Sequence, residues 1–218
     1  EFAAKFGNLP KMRAVYCDPA WKGDDNHQQG SDAAIGVIDS YSIAGQIDNV
    51  LLDLSVSNDW ESDEGGDEML RLMHKWHTHF YIIEQTSDKP MVGLMKRIWK
   101  TTPRDARPTI MPRYIEMKGW SKRHKNDRIS TVAGQAKMGH WFYLTSIPEE
   151  YLSILRTTVN EYPASVKRDT LDMMANANAD EVLNRWVPVA VPEQSMKIER
   201  PPVTYATRYT GLPTIQVH

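Results

Sequence analysis

VYCDPAWKGDDNHQQGSDAAIGVI, residues 15–38, is the stretch around which the chain is organised. An apolar run over 13–18 delivers Asp18 at its end, a polar loop with Gly23 and Gly30 spans 19–31, and a second apolar run over 33–39 begins behind Ser31 and Asp32. Apolar runs bounded by turn chemistry predict two strands. A carboxylate at the end of a buried strand is penalised by desolvation unless a cation or a donor compensates it. Asp18 is therefore the first candidate metal ligand, although a strand-end aspartate also suits an ordinary turn.

Outward from this stretch, residues 46–54 predict a third strand, joined to the second by a short turn over Tyr41–Gly45 to make a meander. Met69, Leu72, Met73 and Trp76 recur at three and four residues and predict a helix over 64–77. FYIIEQ, 80–85, reads as a short strand that ends in Glu84, and 90–100 as a second amphipathic helix with Pro90 in its first turn. Such a β-α-β-α series predicts an α/β domain with parallel pairing between the strands that end at Asp18 and Glu84. Two acids distant in sequence would then meet at one sheet edge.

The remainder predicts a brief strand near 110–115, a basic segment over 119–136 with helical spacing in its second half, and a strand or hairpin over 140–145. Ser146 and Glu149, at capping-box spacing, open a helix to about Asn160, and 165–178 form the last clear helix. Five prolines between Pro188 and Pro213 predict an extended tail. The expected organisation is one domain over 1–185 and a Pro-rich tail over 186–218.

At 218 residues, 41% hydrophobic and 25% charged, the chain can bury a sizeable core. The net charge of −2 hides a segregated distribution. Residues 53–68 carry seven acids and no Lys or Arg, which reads as a solvated loop and helix start. Residues 111–128 carry Arg113, Lys118, Lys122, Arg123, Lys125 and Arg128 against Glu116 and Asp127. Segregation of this kind can address a polyanion, and Trp120 and Tyr114 could stack on bases; a solvated helix is the bland alternative. The single Cys17 excludes an internal disulfide, fits a reducing compartment and reads as a buried thiol. No apolar run is long enough to span a membrane and no signal-peptide pattern opens the chain. There is no GxxxxGK[ST] phosphate loop, and a start at Glu1-Phe2 without Met suggests a piece of a longer protein.

Asp169 and Asp172 are three apart and share a helix face. With Asp18 and Glu84 they give four carboxylates from three elements, the ligand chemistry of Mg²⁺ or Mn²⁺. Spacing alone better fits solvent-facing acids, with Arg168 paired to Asp172. His74, His77 and His79 lack acids or Cys at zinc-ligand spacing and read as a solvated face.

In order and spacing, DPA at a strand end, SDAAIGVI, YIIEQ, a basic helix with KNDRIS and PASVKRDTLDMMAN resemble the nuclease domain of the large terminase subunit of tailed bacteriophages, over about residues 13–178. The resemblance implies a ribonuclease-H-like fold, a mixed sheet of five or more strands flanked by helices. It implies two divalent cations, Mg²⁺ or Mn²⁺, held by Asp18, Glu84 and Asp169 or Asp172. The family usually shows paired aspartates followed by a third, and here Arg168 stands where the first would be. The implied activity is two-metal-ion cleavage of double-stranded viral DNA concatemers during genome packaging in the host cell cytoplasm. Lys122, Arg123, Lys125 and Arg128 would hold the phosphate backbone. Implied partners are duplex DNA, an N-terminal packaging ATPase domain, the small terminase subunit and the portal, with no membrane. The alternatives are another ribonuclease-H-like nuclease, a junction resolvase or transposase, and a DNA-binding packaging module without activity. From the geometry of a helix, Arg168 pairs with Asp172 and Asp169 is the freer ligand, so that Asp169→Asn is expected to damage metal affinity more.

Overall fold

A computed structural model of the chain describes residues 10–20, 32–43, 46–84, 88–118, 124–165, 168–185, 203–205 and 214–217. Its centre is β1 (Met12–Asp18), flanked by the long β2 (Ala33–Ile43) on one side and β4 (Phe80–Ile83) on the other. β3 (Gln46–Ser57) continues the antiparallel meander, and β5 (Arg113–Tyr114) and β6 (Trp141–Leu144) add in parallel at either side. β7 (Val203–Tyr205) and β8 (Thr214–Val217) complete an eight-stranded mixed sheet in the order β5-β4-β1-β2-β3-β6-β8-β7. With helices packed on both faces, this is the expected α/β arrangement, a mixed sheet of more than five strands flanked by helices. The segment expected as an extended tail thus supplies two strands, with β8 parallel to β6.

Both faces of the central strands are covered, which is why β1, β2 and β3 read as nearly continuous apolar runs rather than clean alternations. On one face α1 (Ser62–Lys75) packs on β1 and β2 with α2 (Asp88–Thr101) against it. That approach is tight: a Cβ on Gly66 would lie 2.5 Å from Ile98 Cδ1. α5 (Asp169–Ala175) also packs on β1 and β2, supported by α3 (Lys125–Lys137) and α4 (Glu149–Glu161). Alternation along β1 separates the two faces. Arg13 reaches the Trp76 carbonyl at the end of α1, whereas Asp18, of opposite parity, faces α5. A one-residue bulge shifts the register so that Val37 pairs with Asp53 but Ile38 with Leu51. Asp53 therefore meets Lys75 and Trp76 of the α1 side, while Leu51 lies against Gly36 and, with it, Met173 of α5.

Several expectations shift. β2 and β3 run on to Ile43 and Ser57, absorbing three of the five residues of the anticipated Tyr41–Gly45 turn into strand. Asp53 is no solvated acid but is buried and bonded by Lys75 Nζ at 2.7 Å and Trp76 Nε1 at 2.9 Å. α4 starts at Glu149 with Pro148 as N-cap and no side-chain cap, so Ser146 does not close a capping box. The reciprocal bond occurs instead at α1, where Glu61 N–H donates to Glu64 Oε2 at 2.9 Å. The helix expected over 165–178 begins at Asp169, four residues later than its periodicity suggests. Among the described residues no helix is long and apolar enough to cross a membrane.

Candidate metal centre

Register assembles the first two acids. β1 and β4 pair in parallel with Cys17 opposite Ile83, and Glu84 N–H donates to the Cys17 carbonyl at 2.8 Å. Asp18 and Glu84 thus leave adjacent strands at the same end of the sheet. α5 brings the third: the Asp172 N–H closes the first helical bond onto Arg168 at 2.9 Å, and its side chain is fully buried. One ligand oxygen from each of Asp18, Glu84 and Asp172 lies within 4.8 Å of the other two. Among the described residues no other group of three His, Cys, Asp or Glu side chains comes so close, the three histidines considered for zinc included.

Three buried carboxylates repel one another, and two cations from α3 offset part of this. Lys125 Nζ is 2.8 Å from Asp172 Oδ2 and 4.0 Å from Asp18 Oδ2. Arg128 Nη2 donates to Glu84 Oε1 and lies 3.2 Å from Asp172 Oδ1. The compensation is incomplete. Burial, then Glu84 and Asp172, push the Asp18 carboxyl well above its usual range, and burial and Asp172 raise Glu84 despite Arg128. Burial opposes the charge on Lys125, yet Asp18 and Asp172 outweigh it and hold the ammonium above its ordinary pKa. The Cys17 thiol is pushed up by burial and by the same two strand-end acids, which leaves it a buried structural thiol.

Among the described residues Asp18 Oδ2, Glu84 Oε2 and Asp172 Oδ1 are buried and accept no hydrogen bond. Buried carboxylate oxygens that accept no hydrogen bond are costly as they stand, and hard oxygen donors are what Mg²⁺ or Mn²⁺ bind. The residues present fit such a cation.

Asp169 stands apart from this trio. Its Oδ2 accepts the Asp32 N–H at 3.1 Å, a bond that ties the start of β2 to α5. Burial raises its carboxyl, and that hydrogen bond works against the rise. The anticipated Arg168–Asp172 pair does not form. Arg168 is the N-cap of α5, and its guanidinium turns outward to the carbonyls of Ser165 (2.9 Å) and Pro163 (2.8 Å) and to Asn126 Oδ1 (3.1 Å). A residue at the cap has non-helical backbone, so the four-residue spacing does not set its side chain above Asp172.

The basic segment divides. Lys122, Arg123 and Trp120 lie outside the described residues. Lys125 is half exposed, but its ammonium points at the acids. Arg128 is only 4% exposed and turns inward, so its first partners are carboxylates rather than solvent phosphates. Tyr114 packs against Tyr81 with ring centroids 5.4 Å apart. Helical spacing held the signal for Arg128: it shares the buried face of α3 with Ile129, Val132, Ala133 and Ala136. A groove of about 410 Å³ between α1 and the start of α4 lies away from the cluster, and four of its five charged side chains pair within it, Lys75 with Asp53 and Arg71 with Glu68.

No protein-family model and no curated protein matches the chain. Solved structures similar to it include a Fowlpox virus resolvase in complex with Holliday-junction DNA. That match has 16% identity over 80% of this chain and 94% of that one, with a TM-score of 0.37.

Proposed function

We propose that the chain is a divalent-cation-dependent DNA endonuclease and, by the order of its motifs, the nuclease domain of a phage large terminase subunit. The observation that carries the reading is the trio Asp18, Glu84 and Asp172, which bring one carboxylate oxygen each within 4.8 Å of one another and each of which keeps a buried oxygen that accepts no hydrogen bond. Divalent cations bound there would supply Lewis-acid activation of water and neutralise charge on the scissile phosphate. Asp18 and Glu84, fixed by paired strands, and Asp172, fixed on α5, would be the ligands, with Asp169 held beside them by Asp32. Two cations would match the chemistry of phosphodiester cleavage, the DNA phosphate adding the negative charge that a second ion needs. Arg128 would keep Glu84 and Asp172 oriented. Lys122 and Arg123 would hold the duplex backbone, which carries no direct sequence information, so weak sequence preference follows. Double-stranded DNA, a packaging ATPase domain, the small terminase subunit and the portal would be the partners, in the host cell cytoplasm.

Plasmid digestion in Mn²⁺, in Mg²⁺ and in EDTA tests this. Nicking and linearisation with either metal, absent in EDTA and lost in Asp18→Ala, is expected. Wild-type cleavage by a folded Asp18→Ala protein refutes the site. Cleavage confined to four-way junctions moves the assignment to a resolvase, and metal-independent duplex binding without cleavage moves it to a packaging module.

A further inference from the structure

The two cations at the cluster are held very differently. Arg128 enters from inside α3, is 4% exposed, and meets both Glu84 and Asp172. Lys125 is the first residue of the same helix, its side chain is half exposed, and its ammonium ends a flexible four-carbon stem. That ammonium lies 2.8 Å from Asp172 Oδ2 and 4.0 Å from Asp18 Oδ2. A divalent cation takes carboxylate oxygens at about 2.0–2.6 Å, so an ion shared by Asp18 and Asp172 would press against a like charge already seated there. Fully ionised, the trio carries three negative charges, and Arg128 with Lys125 leaves one uncompensated. With Lys125 withdrawn two remain, the charge that one divalent cation neutralises.

Resting on the metal-site reading, we propose that Lys125 is a resident counter-cation that a divalent ion must displace. The lysine holds Asp18 and Asp172 together in the metal-free protein and leaves toward solvent when the metal enters, while Arg128 stays. Lys125 therefore sets the metal affinity of the DNA-free protein as a competitor, and is a positioning residue rather than a ligand.

Calorimetric titration of Mn²⁺ into the wild type, Lys125→Met and Lys125→Gln tests this, with folding of each variant checked by its melt in EDTA. Removing the competitor is expected to tighten Mn²⁺ binding about tenfold to a hundredfold, the net worth of a hydrogen bond to a charged group. In the wild type, saturating Mn²⁺ is expected to speed modification of Lys125 by an amine-reactive reagent, read by mass spectrometry, while the exposed Lys100 is unchanged. Mn²⁺ binding that is unchanged or weaker in a folded Lys125 variant overturns the proposal, as does an unaltered labelling rate at saturation. No Mn²⁺ binding by wild type and variants alike overturns the metal site together with it, so the two failures read differently.

Discussion

Asp18→Asn removes one charge from the cluster and almost none of its shape. Each of the two neighbouring carboxylates, within 4.8 Å, repels Asp18 by about 3.5 kcal/mol at an effective dielectric constant of 20. Lys125 at 4.0 Å returns about 4 kcal/mol on the same scale. A net repulsion of about 3 kcal/mol remains before burial adds its own penalty, and Asp18 Oδ2 accepts no hydrogen bond that asparagine would forfeit. Metal-free Asp18→Asn should therefore be more stable than wild type at neutral pH by about 1–3 kcal/mol, raising Tm by roughly 2–10 °C in a chain of this size. The pH dependence has a definite sign. Because the folded-state pKa of Asp18 is raised, by burial first and then by Glu84 and Asp172, the folded protein holds a proton that the unfolded chain releases near 3.9. Wild-type stability accordingly falls as pH rises from that value through the raised one, and the variant loses less. Melts in EDTA at pH 5 and pH 8 measure both slopes, and Mn²⁺ should stabilise the wild type and not the variant. An Asp18→Asn protein less stable than wild type at pH 8 in EDTA would show that the acids do not repel as described.

Asp172→Asn should weaken Mn²⁺ binding more than Asp169→Asn, the reverse of what helical spacing alone suggests, because Asp172 is in the tight trio while Asp169 accepts the Asp32 N–H; calorimetry on both variants decides it. Arg128→Ala leaves Glu84 and Asp172 without their buried partner and should cost about 3–5 kcal/mol in chemical denaturation. Lys122→Ala and Arg123→Ala, by contrast, should leave stability alone and flatten the salt dependence of duplex binding by roughly one log-log unit for each phosphate no longer neutralised. Gly36→Ala places a Cβ 2.7 Å from Met173 Cε and 3.1 Å from Leu51 Cδ1, and should cost about 1–3 kcal/mol, reduced in a Gly36→Ala/Met173→Ala double variant.

Fold class was legible because apolar periodicity and turn residues agree along the first hundred residues, and the parallel β1–β4 pairing follows from the helix between them. The meeting of Asp18 with Glu84 was legible for the same reason. What spacing could not give was the start of α5. Placing it at 165 rather than Asp169 put Arg168 inside the helix, above Asp172, instead of at its cap and facing Asn126. A basic segment was also easier to read as surface than as counter-charge, since composition counts lysines and arginines without saying which way they turn. The strands at 203–205 and 214–217 were hidden by proline content, which argues against helix and says little about short edge strands.

The origin of the three acids has a consequence for how the protein comes into being. Asp18 ends the first strand, Glu84 follows the fourth, and Asp172 sits on the fifth helix, so no short contiguous piece of the chain contains the cluster. A growing polypeptide cannot assemble it until synthesis has passed the fifth helix and that helix has docked on the sheet. Partial translation products and proteolytic stumps ending before α5 are therefore without the assembled carboxylate cluster. The site doubles as a certificate of completion, issued only to molecules whose distant segments have come together.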